Sequence, residues 1–159
     1  MTDFIQLKKD SILRIGIKDS NGVDTGEHLE FDMEDIELPL RINKCELQHR
    51  KNLEYLKMQM VIIDKKEDKK GKLILSLKEE EKLKVLQEFY KREMDALDLF
   101  LGQNGTKKLL NGRNPYYSMY EDISEMLQPI LPKLKTNADD LAKKIMDKYN
   151  NKKEKEVLE

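Results

Sequence analysis

The stretch Ile12–Leu47, "ILRIGIKDSNGVDTGEHLEFDMEDIELPLRINKCEL", decides the fold because its apolar period changes partway along. Leu13, Ile15 and Ile17 alternate with Arg14, Gly16 and Lys18. Further on, Leu29, Phe31 and Met33 alternate with His28, Glu30 and Asp32. A period of two marks half-buried strands, with one face on a core and the other in water. In the connector, Asn21-Gly22 and Gly26 suit the positive φ angles of a hairpin turn. Two strands alone are marginal in water, so this hairpin needs helices or another subunit's strands beneath it. After Pro39 the spacing moves towards 3.6. Leu40, Cys45, Leu47, Leu53, Leu56, Met60 and Ile63 predict a helix from about Leu40 to Asp64. Its middle, Asn43–Asn52, is polar enough to allow a break.

Working outward, the charged run Asp64–Lys72 reads as an exposed connector, with Gly71 at a turn. Ser76-Leu77-Lys78-Glu79 fits a capping box, which satisfies free amides at a helix start. That helix runs to about Leu101, burying Leu83, Leu86, Phe89, Tyr90, Leu97 and Phe100, with Gly102 at its C-terminal cap. A short helical turn at Lys107–Leu110 follows. Pro115, after Asn114, predicts the start of a further helix that Pro129 and Pro132 kink or end. Asn137 is placed to cap a last helix carrying Leu141, Ile145, Met146 and Tyr149. The expected fold is mainly α with a small N-terminal antiparallel β-hairpin, an α+β helical bundle. Residues 1–36 form the hairpin region, 37–150 the helical domain and 151–159 a flexible charged tail, all in one compact domain.

Composition removes several function classes. The chain has 159 residues, 38% hydrophobic and 38% charged, and its 30 basic and 31 acidic side chains leave a net charge of -1. No global field therefore favours nucleic acid. A single cysteine, Cys45, excludes an intrachain disulfide framework and fits a reducing compartment. No stretch has signal-peptide character or the length of a membrane span, so a soluble cytoplasmic protein is expected.

The residues that could carry chemistry do not converge. "GQNGTKK", Gln103 in its second place, has the ingredients of a phosphate cradle but not the spacing. Two residues separate Gly102 from Gly105, Thr106 precedes the lysines, and a helix lies upstream. Cys45 and His49 stand i, i+4 on one predicted helix, with Glu46 completing a Glu-x-x-His pattern. The other histidine, His28, lies on a strand, and a zinc site needs three or four ligands. A Cys45–His49 nucleophile pair on one helix lacks an oxyanion environment. No catalytic residue, metal or cofactor is expected. Lys107, Lys108 and Arg113 flank Tyr116, Tyr117 and Tyr120, and aromatics among basic residues can stack on bases. The stripe continues, however, through Met119, Ile123, Met126 and Leu127 at helical spacing, which suits a core or a partner interface. These seven residues, Tyr116 to Leu127, are the candidate partner-binding face.

The segment Ala96–Ile145, with its Leu-Phe-Leu-Gly helix ending (Leu99–Gly102), Gly/Asn-rich corner (Gln103–Gly112) and aromatic-Asp-Ile-x-x-x-Leu run (Tyr120–Leu127), resembles the tail assembly chaperones of long-tailed phages and prophages of Gram-positive bacteria. The N-terminal hairpin, the following helices and the Lys/Glu-rich tail resemble that plan too. The resemblance implies a non-catalytic cytoplasmic protein, absent from the mature virion. It would bind the long helical tape measure protein, keep it soluble and hand it to tail tube subunits, with no nucleic acid or membrane involved. It also implies self-association and a longer frameshifted form that appends a recruiting domain. Such binding is multivalent and displaceable. Met58, Met60, Met94, Met119, Met126 and Met146 supply adaptable apolar surface, and the hairpin edge offers strand pairing. Another phage interaction module, or a nucleic-acid-binding regulatory protein, are the competing expectations.

Overall fold

The alternating segments form the hairpin. A computed structural model describes residues 2–7, 11–71 and 73–158, with the backbone alone for 133–138, 154 and 156–158. Strand β1, Ile12–Lys18, pairs antiparallel with β2, Asp24–Asp32, in the register Leu13↔Phe31, Ile15↔Leu29. At the turn, the Asp19 carboxylate accepts from the Asn21 and Val23 amides, both at 2.9 Å, and Gly22 takes a φ of +79°. The register widens between Gly16 and Lys18, where Gly26 on β2 takes a φ of +77°. Ile17, Leu29 and Phe31 are buried against the helices. The hairpin therefore rests on the chain's own helical core.

Helix α1, Glu37–Asp64, is one unbroken helix. It starts three residues before the expected Leu40, with Pro39 tolerated in the first turn, where its missing N–H costs nothing. Its buried or half-buried row is Leu38, Ile42, Cys45, His49, Asn52, Leu56 and Ile63. Leu40, Leu47 and Leu53, which belong to the apolar spacing that marks the helix, are exposed. Helix α2, Leu77–Leu101, begins with the capping box: Ser76 Oγ accepts from the Glu79 amide at 3.1 Å, and the Glu79 carboxylate from the Ser76 amide at 3.3 Å. It ends at Gly102, whose φ of +90° suits glycine. The two helices run antiparallel: Asp64 meets Lys82 near one end, while Asn52 meets Glu93 further along. Phe89, Glu93, Ala96, Leu97 and Leu101 are buried on α2, whereas Leu83 is exposed.

A tight corner follows. Helix α3, Gly105–Leu110, lies between Asn104 and Asn111, both in the left-handed region. Thr106 is fully buried, and both its amide and its hydroxyl donate to Asp98 Oδ1, at 2.8 and 2.5 Å. Gly105 is required by proximity, since an added Cβ would sit 2.5 Å from Leu101 Cβ. Helix α4 spans Met119–Leu127, starting after the expected Pro115 because the backbone at Arg113–Tyr116 stays irregular. Helix α5 runs from Leu131 to Leu158. Pro132 falls in its first turn rather than ending a helix, and the backbone passes helically through Asn137, whose side chain lies outside the described set. The expected tail from residue 151 is helical to Leu158. Met1, Lys8–Asp10, Lys72 and Glu159, within the expected hairpin region, connector and tail, lie outside the described residues. The architecture is α+β and mainly helical. No described helix is long and apolar enough to cross a membrane.

Candidate docking surface

The polar middle of α1 is explained by a buried side chain on α2. Glu93, 2% exposed, accepts from the amide of Asn52 at 2.8 Å and lies 2.6 Å from Nδ1 of His49. Gln48 donates to Asn52 Oδ1 at 2.9 Å, completing the chain of bonds. Among the described residues no buried side-chain nitrogen or oxygen lacks a partner, as a polar layer in an apolar seam requires. Tyr120 of α4 covers this layer. Its ring stacks on His49 with centroids 3.6 Å apart, and its hydroxyl donates to Glu46 at 2.8 Å. Burial, then the Glu46 carboxylate, pushes the Tyr120 phenol well above its usual range. Cys45 lies in the same pocket, and burial, with Glu93 and Glu46 nearby, pushes its thiol up to about 12. That thiol stays protonated near neutral pH, and His49 is bonded to Glu93 rather than turned to it as a base.

Most of the predicted partner-binding stripe faces inward. Met119, Ile123 and Leu127 are buried in the core shared with the hairpin and α2, because α4 must cover both. Tyr120 is held by His49 and Glu46. Tyr116 lies half-buried, donating to Asp122 at 2.8 Å beneath the Arg113 guanidinium. Tyr117, 95% exposed, and Met126 remain on the surface. The stripe is thus mainly an internal face, and its outer edge is narrow.

Larger apolar surface lies elsewhere. Leu83, Leu86, Tyr90 and Met94 line a groove of about 930 Å³ along the outer side of α2, closed at the corner by Asn104, Lys107 and Pro115. Glu80, Asp95 and Asp98, and Lys84 and Lys91, also line it. Both charge signs therefore rim an apolar floor. Phe4, Ile5 and Leu7 are almost fully exposed before β1, and Ile145, Met146 and Tyr149 are exposed on α5. The 83/86/90/94 spacing is visible in the sequence, but its reading as core was wrong for Leu83. Nothing in the sequence distinguishes an outer apolar row from an inner one on a helix that carries both. Among the described residues no cluster of three or more His, Cys, Asp or Glu side chains could hold a metal ion.

Comparison with known protein families, with curated proteins and with solved structures gives no match to this chain.

Proposed function

We propose that this chain is a tail assembly chaperone that binds the tape measure protein, keeps it soluble and releases it to tail tube subunits. The observation that carries this reading is the α2 groove together with the resemblance of Ala96–Ile145 to that family. A client of this kind is a long helix with apolar rows, and the groove has the form that accepts one: an apolar floor at helical spacing between charged rims. Helix α2 is roughly 37 Å long, enough to lie beside several turns of a client helix. Mixed rim charges suit a surface that must accept many different helical segments and give each one up. Flexible Met94 in the floor serves the same tolerance.

Multivalency supplies the net affinity, since several copies along one client hold it far better than any one contact. The chemistry required is binding and release alone. Co-expression of this chain with the tape measure protein encoded beside it tests the reading. Soluble client that co-purifies with several copies of the chain supports it. A client left insoluble by this chain and by any frameshifted form of it removes the reading.

A further inference from the structure

We infer that Asn111 is a self-modification site: its side chain condenses with the Gly112 amide, and the aspartate or isoaspartate that results loosens the corner between α2 and α4. This concerns the chain's own covalent chemistry and stands apart from the proposed function. In an Asn-Gly pair the glycine nitrogen can attack the asparagine side-chain carbonyl carbon, because no Cβ on the glycine obstructs the approach. The new C–N bond closes a succinimide ring, and the side-chain nitrogen leaves as ammonia, taking up the proton of the glycine amide. Water then opens the ring. Opening at the former side-chain carbonyl gives aspartate, and opening at the backbone carbonyl gives isoaspartate.

The sequence holds three such pairs, Asn21-Gly22, Asn104-Gly105 and Asn111-Gly112. The fold restrains two of them. The Gly22 amide donates to the Asp19 carbonyl and the Gly105 amide to the Gly102 carbonyl, each at 3.0 Å. Gly105 is also buried and packed on Leu101. An amide held this way cannot turn its nitrogen towards a side chain. The Gly112 amide has no acceptor among the described residues, and the Asn111 side chain has no hydrogen-bond partner there either. Both residues are exposed to water. Asn111 lines a cleft of about 270 Å³ that Lys18 and Arg113 also line. The attacking nitrogen carries negative charge as the bond forms, and two nearby cations favour that charge. Asp19 in the same cleft opposes them, but its carboxylate already accepts from the Asn21 and Val23 amides.

The position gives the change a structural consequence. Asn111 closes α3: its amide donates to the Lys107 carbonyl, and the Arg113 amide donates to the Leu110 carbonyl, both at 3.0 Å. Isoaspartate inserts a methylene into the backbone between those two bonds, so both cannot be kept. Aspartate instead places a negative charge at the C-terminal end of α3, where the helix dipole disfavours it. Leu109 and Leu110, packed against the core, ride on the same turn. Either product therefore loosens the corner.

Ageing of the purified full chain in mildly alkaline buffer, folded and in urea, followed by peptide mass spectrometry, tests the inference. Each conversion leaves a peptide heavier by the difference between OH and NH2, and electron-transfer fragmentation separates isoaspartate from aspartate. In urea the three pairs should convert at similar rates. In the folded chain Asn111 should convert several-fold faster than Asn21 and Asn104. The aged folded chain should also melt at a lower temperature than fresh chain. Aged Asn111→Gly chain should not, since glycine suits the left-handed backbone at this position and has no side chain to condense. Folded chain that converts first at Asn21 or Asn104, or at none of the three, overturns the assignment of the site. Chain converted at Asn111 that melts like fresh chain overturns the loosening.

Discussion

The α1–α2 seam and the outer surfaces of α2 and α5 each place side chains against type, in opposite directions. In the seam, Asn52 and Glu93 are buried, with His49 nearly so, while Leu40, Leu47 and Leu53 of the same helix face water. On the outer faces, Leu83 is half-exposed and Ile145, Met146 and Tyr149 are exposed. The seam bears its polar groups because each finds a bond there. The apolar groups on the outside are instead left in contact with water. On α2, buried polar groups and exposed apolar ones thus lie on different faces of one helix.

The largest effect expected is from breaking the seam. Glu93→Ala leaves His49 and Asn52 buried without their acceptor and should cost about 4 kcal/mol in urea unfolding. Replacing Glu93, His49 and Asn52 together by leucine should cost far less, since only the half-buried Gln48 amide then loses a partner. Iodoacetamide sharpens the same point. Cys45, with its thiol at about 12, should react about a hundredfold or more slowly in the folded chain than in urea, and Glu93→Ala should shorten that gap.

Next in size is the corner. Gly105→Ala pushes a methyl against Leu101 and should cost about 2 kcal/mol. Tyr120→Phe keeps the ring stacked on His49 but removes the hydroxyl bond to Glu46, a loss of about 1 kcal/mol in the same assay. Smallest is the outer face. Leu83→Asp should cost no more than about 1 kcal/mol, because only about half of the side chain is buried to begin with. A large loss there would mean that Leu83 supports the fold and that the contrast between the two faces is wrong.

Local signals were legible in the sequence and long-range ones were not. Strand alternation, the Asn21-Gly22 turn, the Ser76–Glu79 capping box and the Gly102 cap each act within a few residues, and each is present. On α1 the leucine spacing marks a helix but not its inner row. The true row passes through His49 and Asn52, whose reason for burial is a carboxylate 41 residues beyond Asn52. Tyr120 shows the same limit, bonding to Glu46 across 74 positions. The start of α5 at Leu131 was hidden because prolines end helices as readily as they open them. Of the predicted stripe, Tyr117 and Met126 stay outside, since a short amphipathic helix must spend its apolar face on the core before it can offer any to a partner.

Solubility of the co-expressed tape measure protein, scored with wild-type chain, with Leu83→Asp and with Tyr120→Phe, tests the contrast between the two faces of α2 most directly. Wild-type and Tyr120→Phe chains should keep the client soluble, and Leu83→Asp should release it to the pellet while itself remaining folded. Equal rescue by all three, or none by the wild type, would contradict the assignment of the α2 outer face to the client.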